Sequence, residues 1–211
     1  MTENRPASSC LPYAAVLCDV DGVLRHWPAD IEIEHAHGLT AGSLAAAAFA
    51  PARIHAAITG EITDEQWRSA VAEDLADTCG SYKRARAAVT AWSDRAPSVD
   101  LELVALLTRV REVARVALVP NGTTRLEQDL ARQGLGSLAH TVVNSARIGI
   151  AKPDPRVYRI AVERAGTTTE RCLFVDDIAA NVTAARETGM TGLQYRQIDD
   201  LRTALTPLLG R

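Results

Sequence analysis

The sequence has few cysteines, and none of them has the spacing of a metal site. Four cysteines are spread over 211 residues without a CxxC pair or a zinc-type pattern. They are Cys10, Cys18, Cys79 and Cys172. Two of these, Cys18 and Cys172, lie in apolar runs typical of buried strands, which favours reduced thiols in a core. We therefore expect a cytoplasmic protein.

The sequence also has no long apolar run and no excess of basic charge. No stretch is long and apolar enough to span a bilayer. The formal net charge of −3 gives no support for a nucleic-acid or membrane partner. The first residues are polar, contain proline and serine, and lack the apolar core of a signal peptide. We interpret residues 1–12 as a flexible tail.

What remains is the composition of an ordinary globular protein. Hydrophobic residues make up 47% of the chain and charged residues 23%. A chain of this length fits one domain with a sizeable core, or a core with a small insertion.

One apolar run near the N-terminus ends in two carboxylates. Residues 14–18 have the length of a strand, and Asp19, Asp21 and Gly22 follow directly. A continuous apolar run before a glycine turn is typical of a strand buried on both faces of a parallel sheet. Side chains two positions apart point to the same side of an extended stretch, so both carboxylates face one ion or substrate. Two like charges this close need a cation or a shared proton, which indicates a metal-assisted nucleophile pair. An aspartate-rich turn that closes a strand is the alternative.

After Pro97, strands and helices alternate along the chain. Apolar runs predict four further strands, at 114–119, 141–143, 172–175 and 192–195. Short turns between alternating strands and helices indicate a doubly wound, parallel α/β sheet. Thr123 or Thr124 is predicted to cap the helix that follows the second strand.

Between Arg25 and Pro97 the strand pattern disappears. Alanine-rich segments with helical spacing replace it, and Thr63 and Gln66 have the positions of a capping box. We therefore predict an all-helical cap without strands, inserted into the α/β core and packed over the carboxylate pair. The predicted limits are 25–97 for the cap, and 13–24 together with 98–211 for the core.

Polar residues follow three of the predicted strands. They are Asp19 and Asp21, then Asn121, and finally Asp176 and Asp177. Lys152 stands in a Gly-Ile-Ala-Lys-Pro-Asp-Pro loop just before a helix. In open α/β sheets, ligands bind outside the carboxyl ends of the strands, and carboxylates are ligands that Mg²⁺ prefers. The lysine and a backbone N–H beside Asn121 would neutralise a phosphoryl group, with one aspartate as nucleophile and another as proton shuttle.

The order and setting of these residues resemble the haloacid dehalogenase superfamily of phosphohydrolases from Tyr13 onward. Four stretches are similar to its four motifs, in order: Cys18-Asp19-Val20-Asp21-Gly22-Val23-Leu24, Val119-Pro120-Asn121-Gly122, Ala151-Lys152-Pro153-Asp154-Pro155 and Phe174-Val175-Asp176-Asp177. The sequence is particularly similar to the N-terminal phosphatase domain of mammalian soluble epoxide hydrolase. The resemblance implies a Rossmann-like core with a helical cap between the first and second motifs.

The resemblance also implies a role for each matched residue. Asp19 would be the nucleophile that forms an aspartyl-phosphate, and its other oxygen would bind Mg²⁺. Asp21 would protonate the leaving group and later activate water, and its backbone carbonyl would bind the metal. Asp177 would be the main third metal ligand, with Asp176 supporting it or ligating through water. Lys152 would orient Asp19 and offset the charge of the phosphate.

The function implied is a Mg²⁺-dependent phosphatase of a small phosphorylated metabolite, working as a monomer or a homodimer. The residues expected to contact phosphate or substrate are Asn121, Gly122, Lys152 and Arg25. Arg25 is included because it follows the first motif at the connection to the cap. The cap would close over the site, exclude water and select the substrate.

Pro120 departs from the family pattern, which normally has threonine or serine at this position. Proline has neither the hydroxyl that holds the phosphate nor a backbone N–H. A hydrogen bond to a charged partner contributes about 1.5–3 kcal/mol, or about one to two decades in rate when it acts in the transition state. Thr123 or Thr124 is the candidate substitute for the missing hydroxyl.

Two alternatives stay open at this point. One is a phosphomutase or a dehalogenase on the same fold, although dehalogenases of the family lack an acid at the position of Asp21. The other is a catalytically weak or inactive protein that binds phosphorylated ligands in a regulatory role. Pro120 motivates this second alternative.

Overall fold

The computed structural model describes residues 12–210. Most of the predicted tail, 1–11, and with it Cys10, lie outside the described residues. The three cysteines within them, Cys18, Cys79 and Cys172, are buried and free. In the same range, no helix combines the length and the apolar character needed to cross a membrane.

The core is a five-stranded parallel sheet built from β1 (Ala15–Cys18), β4 (Arg115–Leu118), β5 (Thr141–Val142), β6 (Cys172–Asp176) and β7 (Thr191–Gln194). Across the sheet these strands follow the order β5-β4-β1-β6-β7. Every residue of β1 and β6 is buried, as expected for central strands covered by helices on both faces. The strands lie where the apolar runs predict them, and the doubly wound α/β fold is confirmed.

Helices cover both faces of this sheet. They are α6 (Leu101–Val110), α7 (Leu126–Arg132), α8 (Ser145–Ile148), α9 (Pro155–Ala165), α10 (Ala179–Glu187) and α11 (Ile198–Leu209), with a 3₁₀ turn at Thr169–Arg171. Alternate residues of β1 enter different clusters: Val16 packs with α6 and α11 on one face, and Leu17 packs with α9 on the other. Because successive side chains of a strand point to opposite faces of the sheet, β1 contributes to one hydrophobic core on each face.

Five helices lie between β1 and β4 in the order of the chain. They are α1 (Ile31–Ala36), α2 (Ser43–Ala48), α3 (Pro51–Ile58), α4 (Asp64–Asp74) and α5 (Tyr82–Ser93), and are called the cap helices below. They share a hydrophobic cluster of their own that includes Leu44, Trp67 and Val71. The capping box is present, since Gln66 N–H donates to Thr63 Oγ1 and Thr63 N–H donates to Gln66 Oε1. Where the cap begins and ends as a domain remains a prediction.

A short antiparallel ribbon joins the cap helices to the core. Strand β2 (Arg25–His26) pairs with β3 (Ser98–Val99), and Ser98 Oγ also donates to His26 O at 3.2 Å. The expectation that 25–97 contains no strand is therefore corrected at its first two residues. The chain leaves and re-enters the core side by side, so the two backbones can pair. A strand of two residues leaves no apolar period in the sequence.

Candidate active site

The carboxyl ends of β1, β4 and β6 bring the candidate residues to one edge of the sheet. Asp19 directly follows β1, and its backbone N–H donates to Val175 O of β6 at 2.9 Å. Asp176 is the last residue of β6, and Asn121 follows β4. These strands are parallel neighbours, so their ends meet where ligands bind in such sheets.

The ammonium of Lys152 lies between two buried carboxylates. Its Nζ is 2.9 Å from Asp19 Oδ1 and 2.6 Å from Asp176 Oδ2. Burial alone would lower the pKa of Lys152, but the charges of Asp19 and Asp176 raise it above its usual value. Lys152 is therefore charged and fixes one oxygen of Asp19.

Asp19 keeps its second oxygen free. Oδ1 accepts from the backbone N–H of Val20 at 2.8 Å and from Lys152. Oδ2 receives no hydrogen bond from any residue in the described range 12–210. Burial raises the pKa of Asp19; Lys152 opposes this rise and Asp176 adds to it, so the pKa lies above the usual range. A bound cation would favour the ionised form of this carboxylate.

Asp19, Asp176 and Asp177 form a cluster of three carboxylates that fits a divalent cation. One oxygen from each lies within 4.8 Å of the others. Asp177 Oδ1 is buried and has no hydrogen-bond partner in the described part of the chain. Burial first, and then the charge of Asp176, raise the pKa of Asp177. Three carboxyl groups face a single ammonium group, that of Lys152, and an oxygen-liganded cation would favour their ionised forms and balance their charge.

Gly22 lies directly against the carboxylate of Asp177. Its φ is +83°, and a Cβ atom at this position would lie 2.3 Å from Asp177 Oδ2. Both the left-handed backbone and the close approach require glycine. The residue after Asp21 thus leaves the space that the Asp177 carboxylate fills.

The start of α10 holds Asp176 in place. The backbone N–H of Ile178 donates to Asp176 Oδ1 at 2.9 Å. The side-chain amide of Asn181 donates to Oδ1 at 3.0 Å and to Oδ2 at 3.1 Å. Both oxygens of Asp176 therefore have donors, whereas Asp177 has a free one. Asn181 is not among the site residues predicted from the sequence, where its only signal is an asparagine five positions after Asp176; the structure places it, buried, in the first turn of α10.

Asn121 uses its side chain to hold the lysine loop. Its Nδ2 donates to Lys152 O at 2.9 Å, and the backbone N–H of Lys152 donates to Asn121 Oδ1 at 2.8 Å. The backbone N–H groups of Asn121 and Gly122 donate to no acceptor within residues 12–210. The groups that this turn offers to a ligand are therefore backbone amides.

Asp21 is engaged by two side chains from its own segment. Arg25 donates to both of its oxygens, at 2.7 Å and 3.1 Å, and Trp27 Nε1 donates to Oδ1 at 2.6 Å. The remaining end of the Arg25 guanidinium donates to Gln133 Oε1 at 3.0 Å. Arg25, expected to contact phosphate, is thus committed to Asp21 and Gln133. The Asp21 carboxylate lies outside the three-carboxylate cluster.

The hydroxyl groups of both threonines after Pro120 contact the cap, and that of Thr123 donates its proton there. Thr123 Oγ1 donates to Asp64 Oδ1 at 2.7 Å, and the backbone N–H of Asp64 donates to Thr124 Oγ1 at 2.9 Å. The predicted helix cap is also wrong, because α7 begins at Leu126 with Arg125 as its cap residue. Both hydroxyls instead bind the first residue of the cap helix α4.

These bonds make Asp64 one of the points where the cap is attached to the core. Arg68, one turn along α4, forms an ion pair with Asp64. A second close approach lies at Gly60, where a Cβ atom would be 2.2 Å from Ala146 O. The structure therefore shows the cap helices in direct contact with the edge of the core that carries the carboxylates.

A cavity of about 460 Å³ lies between the cap helices and the strand ends. On the core side it reaches Asp21 and Asn121, and on the cap side it is lined by Phe49, Trp67 and Trp92. This volume lies within the usual range for small-molecule sites. The arrangement joins a charged site at the sheet edge to a mainly apolar chamber above it.

Comparison with known proteins is consistent with this geometry. A family model described as haloacid dehalogenase-like hydrolase matches residues 13–189. A phosphatase from Mycobacterium tuberculosis is 50% identical over 56 residues, which are 26% of this chain and 26% of that protein. A pyrimidine 5′-nucleotidase from Escherichia coli is 36% identical over 78 residues, which are 36% of this chain and 35% of that protein. The matched part thus spans about a quarter to a third of each relative's length.

A solved structure with a similar fold extends the comparison to most of the chain. It is a haloacid dehalogenase family enzyme from Bacteroides thetaiotaomicron in complex with magnesium and inorganic phosphate. The TM-score is 0.70 at 20% identity, over 87% of this chain and 94% of the other. At this identity the likeness is one of fold.

Proposed function

Because the chain belongs to the haloacid dehalogenase-like hydrolase family, we propose that it is a Mg²⁺-dependent phosphatase of small phosphate monoesters. The observation that carries the proposal is the cluster of Asp19, Asp176 and Asp177 around Lys152, with a free oxygen on Asp19. The phosphatase and nucleotidase among the relatives support the choice of phosphate esters.

Asp19, Asp177 and, less directly, Asp176 would hold the metal. The orphaned oxygen of Asp177 and the grouping of three carboxyl groups around one ammonium group are the observations that fit this role. When bound, Mg²⁺ would neutralise charge on the phosphoryl oxygens. Asp176 has donors on both oxygens and is better suited to orient the cluster than to provide a strong ligand.

Asp19 would act as the nucleophile. One oxygen of its carboxylate attacks phosphorus, the bond between phosphorus and the leaving oxygen breaks, and an aspartyl-phosphate forms. Lys152 and the backbone N–H of Val20 hold Oδ1, so the carboxylate has a defined orientation. Lys152 and the free N–H groups of Asn121 and Gly122 would offset charge on the phosphate.

Asp21 would transfer the protons. It gives a proton to the leaving alkoxide, then takes one from the water that attacks the aspartyl-phosphate, which releases inorganic phosphate and restores Asp19. In the structure its carboxylate is bound by Arg25 and Trp27, so Asp21 must exchange one of these donors for the substrate oxygen. Arg25 is therefore assigned a positioning role beside the acid.

The proposal is tested by measuring phosphate release from a panel of phosphate monoesters, with Mg²⁺ and with excess EDTA. Release that requires Mg²⁺ supports it. Release of halide from haloacids without Mg²⁺, or transfer of phosphate to a sugar in place of water, would replace it with the dehalogenase or the mutase. Binding of phosphate with no turnover of any ester would favour a regulatory binding protein.

Replacing Pro120 with threonine is expected to raise kcat/KM about tenfold, because a hydroxyl bond to the charged phosphate is added. Thr123 cannot supply it while its hydroxyl donates to Asp64, and Thr124 does not line the cavity. The measurement is the steady-state rate with p-nitrophenyl phosphate. Pro120→Ala is the control: it restores the backbone N–H without the hydroxyl, and an equal gain in both variants would assign the effect to the N–H.

A further inference from the structure

We propose that the cavity between cap and core selects phosphate monoesters whose leaving group is a flat, uncharged aromatic alcohol. The inference rests on the proposed phosphatase function and adds the chemical class of the group that the cavity holds. Two independent features of the cavity wall carry it: the concentration of aromatic rings, and the complete internal pairing of its charges.

The aromatic residues of this chain are few and concentrated in the cavity. Only 4% of the residues are aromatic, with three tryptophans and two phenylalanines. All three tryptophans and one phenylalanine line the cavity: Trp27, Trp67, Trp92 and Phe49. The ring centroids of Trp67 and Trp92 lie 5.6 Å apart, and Phe49 lies 6.4 Å and 6.3 Å from them. Phe49 and Trp27 are more than 40% exposed, which leaves ring surface for a ligand to cover.

The polar ends of the three tryptophans are already occupied. Trp67 Nε1 donates to Ala48 O at 2.9 Å, and Trp92 Nε1 donates to Asp30 Oδ1 at 3.1 Å. Trp27 Nε1 donates to Asp21. What the indoles offer to a ligand is therefore apolar ring surface. Trp27 places such a ring beside the proposed acid, where the leaving group of a bound phosphate ester would begin.

The charged groups that the cap contributes to the cavity are paired with one another. Arg68 forms an ion pair with Asp64, and Arg95 forms one with Asp30. Each pair joins one cation to one anion, so neither leaves a net charge for a ligand. A second phosphate or a carboxylate on the substrate would have to break one of these pairs.

The charged groups that the core contributes to the cavity are also paired with one another. Arg125 pairs with Asp129 at 2.9 Å, and Arg25 pairs with Asp21 at 2.7 Å. Every cation in the described cavity wall thus has a carboxylate partner, and the wall is neutral as a whole. An uncharged leaving group therefore fits this cavity, and an aromatic ring in the leaving group can stack on the indole and phenyl rings of the cavity wall.

Kinetics with matched alcohol esters tests the inference. Benzyl phosphate is expected to show a kcat/KM about 10- to 100-fold above that of ethyl phosphate, since a phenyl ring is buried. 4-Carboxybenzyl phosphate is expected to fall at least about tenfold below benzyl phosphate, because its carboxylate finds no free cation. 4-Carbamoylbenzyl phosphate, a neutral near-isostere, should stay close to benzyl phosphate. Equal values for the benzyl and ethyl esters would overturn the inference.

Binding without turnover gives a second readout. Every tryptophan of the chain lines this cavity, so intrinsic tryptophan fluorescence reports on it. In the presence of Mg²⁺, benzylphosphonate is expected to change the fluorescence and to bind more tightly than ethylphosphonate. An equal affinity of the two phosphonates contradicts the aromatic subsite.

A pair of variants separates the cavity from the rest of the cap. Phe49→Ala removes an exposed ring from the cavity wall and is expected to lower the benzyl-to-ethyl ratio several-fold, about the contribution of one aromatic contact. Tyr82→Ala removes an exposed ring elsewhere on the cap and should leave the ratio unchanged. A ratio that responds equally to both variants would count against the inference.

The two proposals fail in different ways. Turnover of all the esters without a preference for rings keeps the phosphatase and removes the aromatic subsite. Tight binding of benzylphosphonate without turnover of any ester keeps the aromatic subsite and removes the phosphatase. Absence of both removes both.

Discussion

Replacing Asp19 with asparagine is expected to lower phosphate release by at least about 10³-fold, because the amide is not a nucleophile. The fold should survive the change. Burial raises the pKa of Asp19, so an uncharged isostere relieves the cost of a buried charge, while Lys152 keeps its bond to Asp176. The measurement is kcat with p-nitrophenyl phosphate, together with the melting temperature by circular dichroism.

The matched control for Asp19→Asn is Asp77→Asn, the same change at an exposed position on the cap. It should leave both rate and melting temperature unchanged. An Asp19→Asn variant that keeps more than a small part of the wild-type rate would remove the aspartyl-phosphate from the mechanism. A strong loss of stability in this variant would show instead that the carboxylate is needed to balance Lys152.

Replacing Gly22 with alanine is expected to weaken Mg²⁺ binding about 10- to 100-fold, the usual effect of displacing a ligand's support. The new Cβ would lie 2.3 Å from Asp177 Oδ2, so this carboxylate must shift from its position in the cluster. The left-handed backbone adds a loss of about 1–3 kcal/mol in the free energy of unfolding. Mg²⁺ titrations followed by the shift in melting temperature measure the affinity, because a cation that binds only the folded state stabilises it.

Gly42→Ala separates the two effects of the Gly22 change. Gly42 also has a left-handed backbone, with φ +87°, but a Cβ atom there would have no atom of the described residues within 4 Å. It should lose stability through strain and keep the full response to Mg²⁺. If both alanine variants bind Mg²⁺ equally well, Asp177 is not held in place by Gly22 as a metal ligand.

The core of the candidate site could be predicted because its signals are local. Asp19, Asp21 and Gly22 stand within four consecutive positions after an apolar run, and a strand with a polar end predicts where these side chains lie. The same holds for Asp176 and Asp177 after β6. In a parallel sheet the carboxyl ends of neighbouring strands lie at the same edge. Once the two strands are recognised as neighbours, the local sequence pattern is therefore enough to place their carboxylates together.

The contacts that organise the cap could not be predicted, because they join distant parts of the chain. Thr123 has the position of a helix cap, but its hydroxyl finds Asp64, which lies 59 residues away in sequence. The preference of threonine for a helix N-cap position is outweighed here by its hydrogen bond to a residue of the cap. The donors on Asp21 are close to it in sequence, but Arg25 and Trp27 reach it only because the turn at 22–24 brings the chain back beside Asp21.

The ribbon of β2 and β3 also has a consequence for evolution. His26 and Ser98 face each other across it, so the inserted segment begins and ends at neighbouring strands, about 5 Å apart. We infer that the segment between these two positions can change in length without moving the strands that carry Asp19 and Asp176. The contacts of Trp27 with Asp21 and of Asp64 with Thr123 would have to be kept, because they tie this segment to the edge of the sheet.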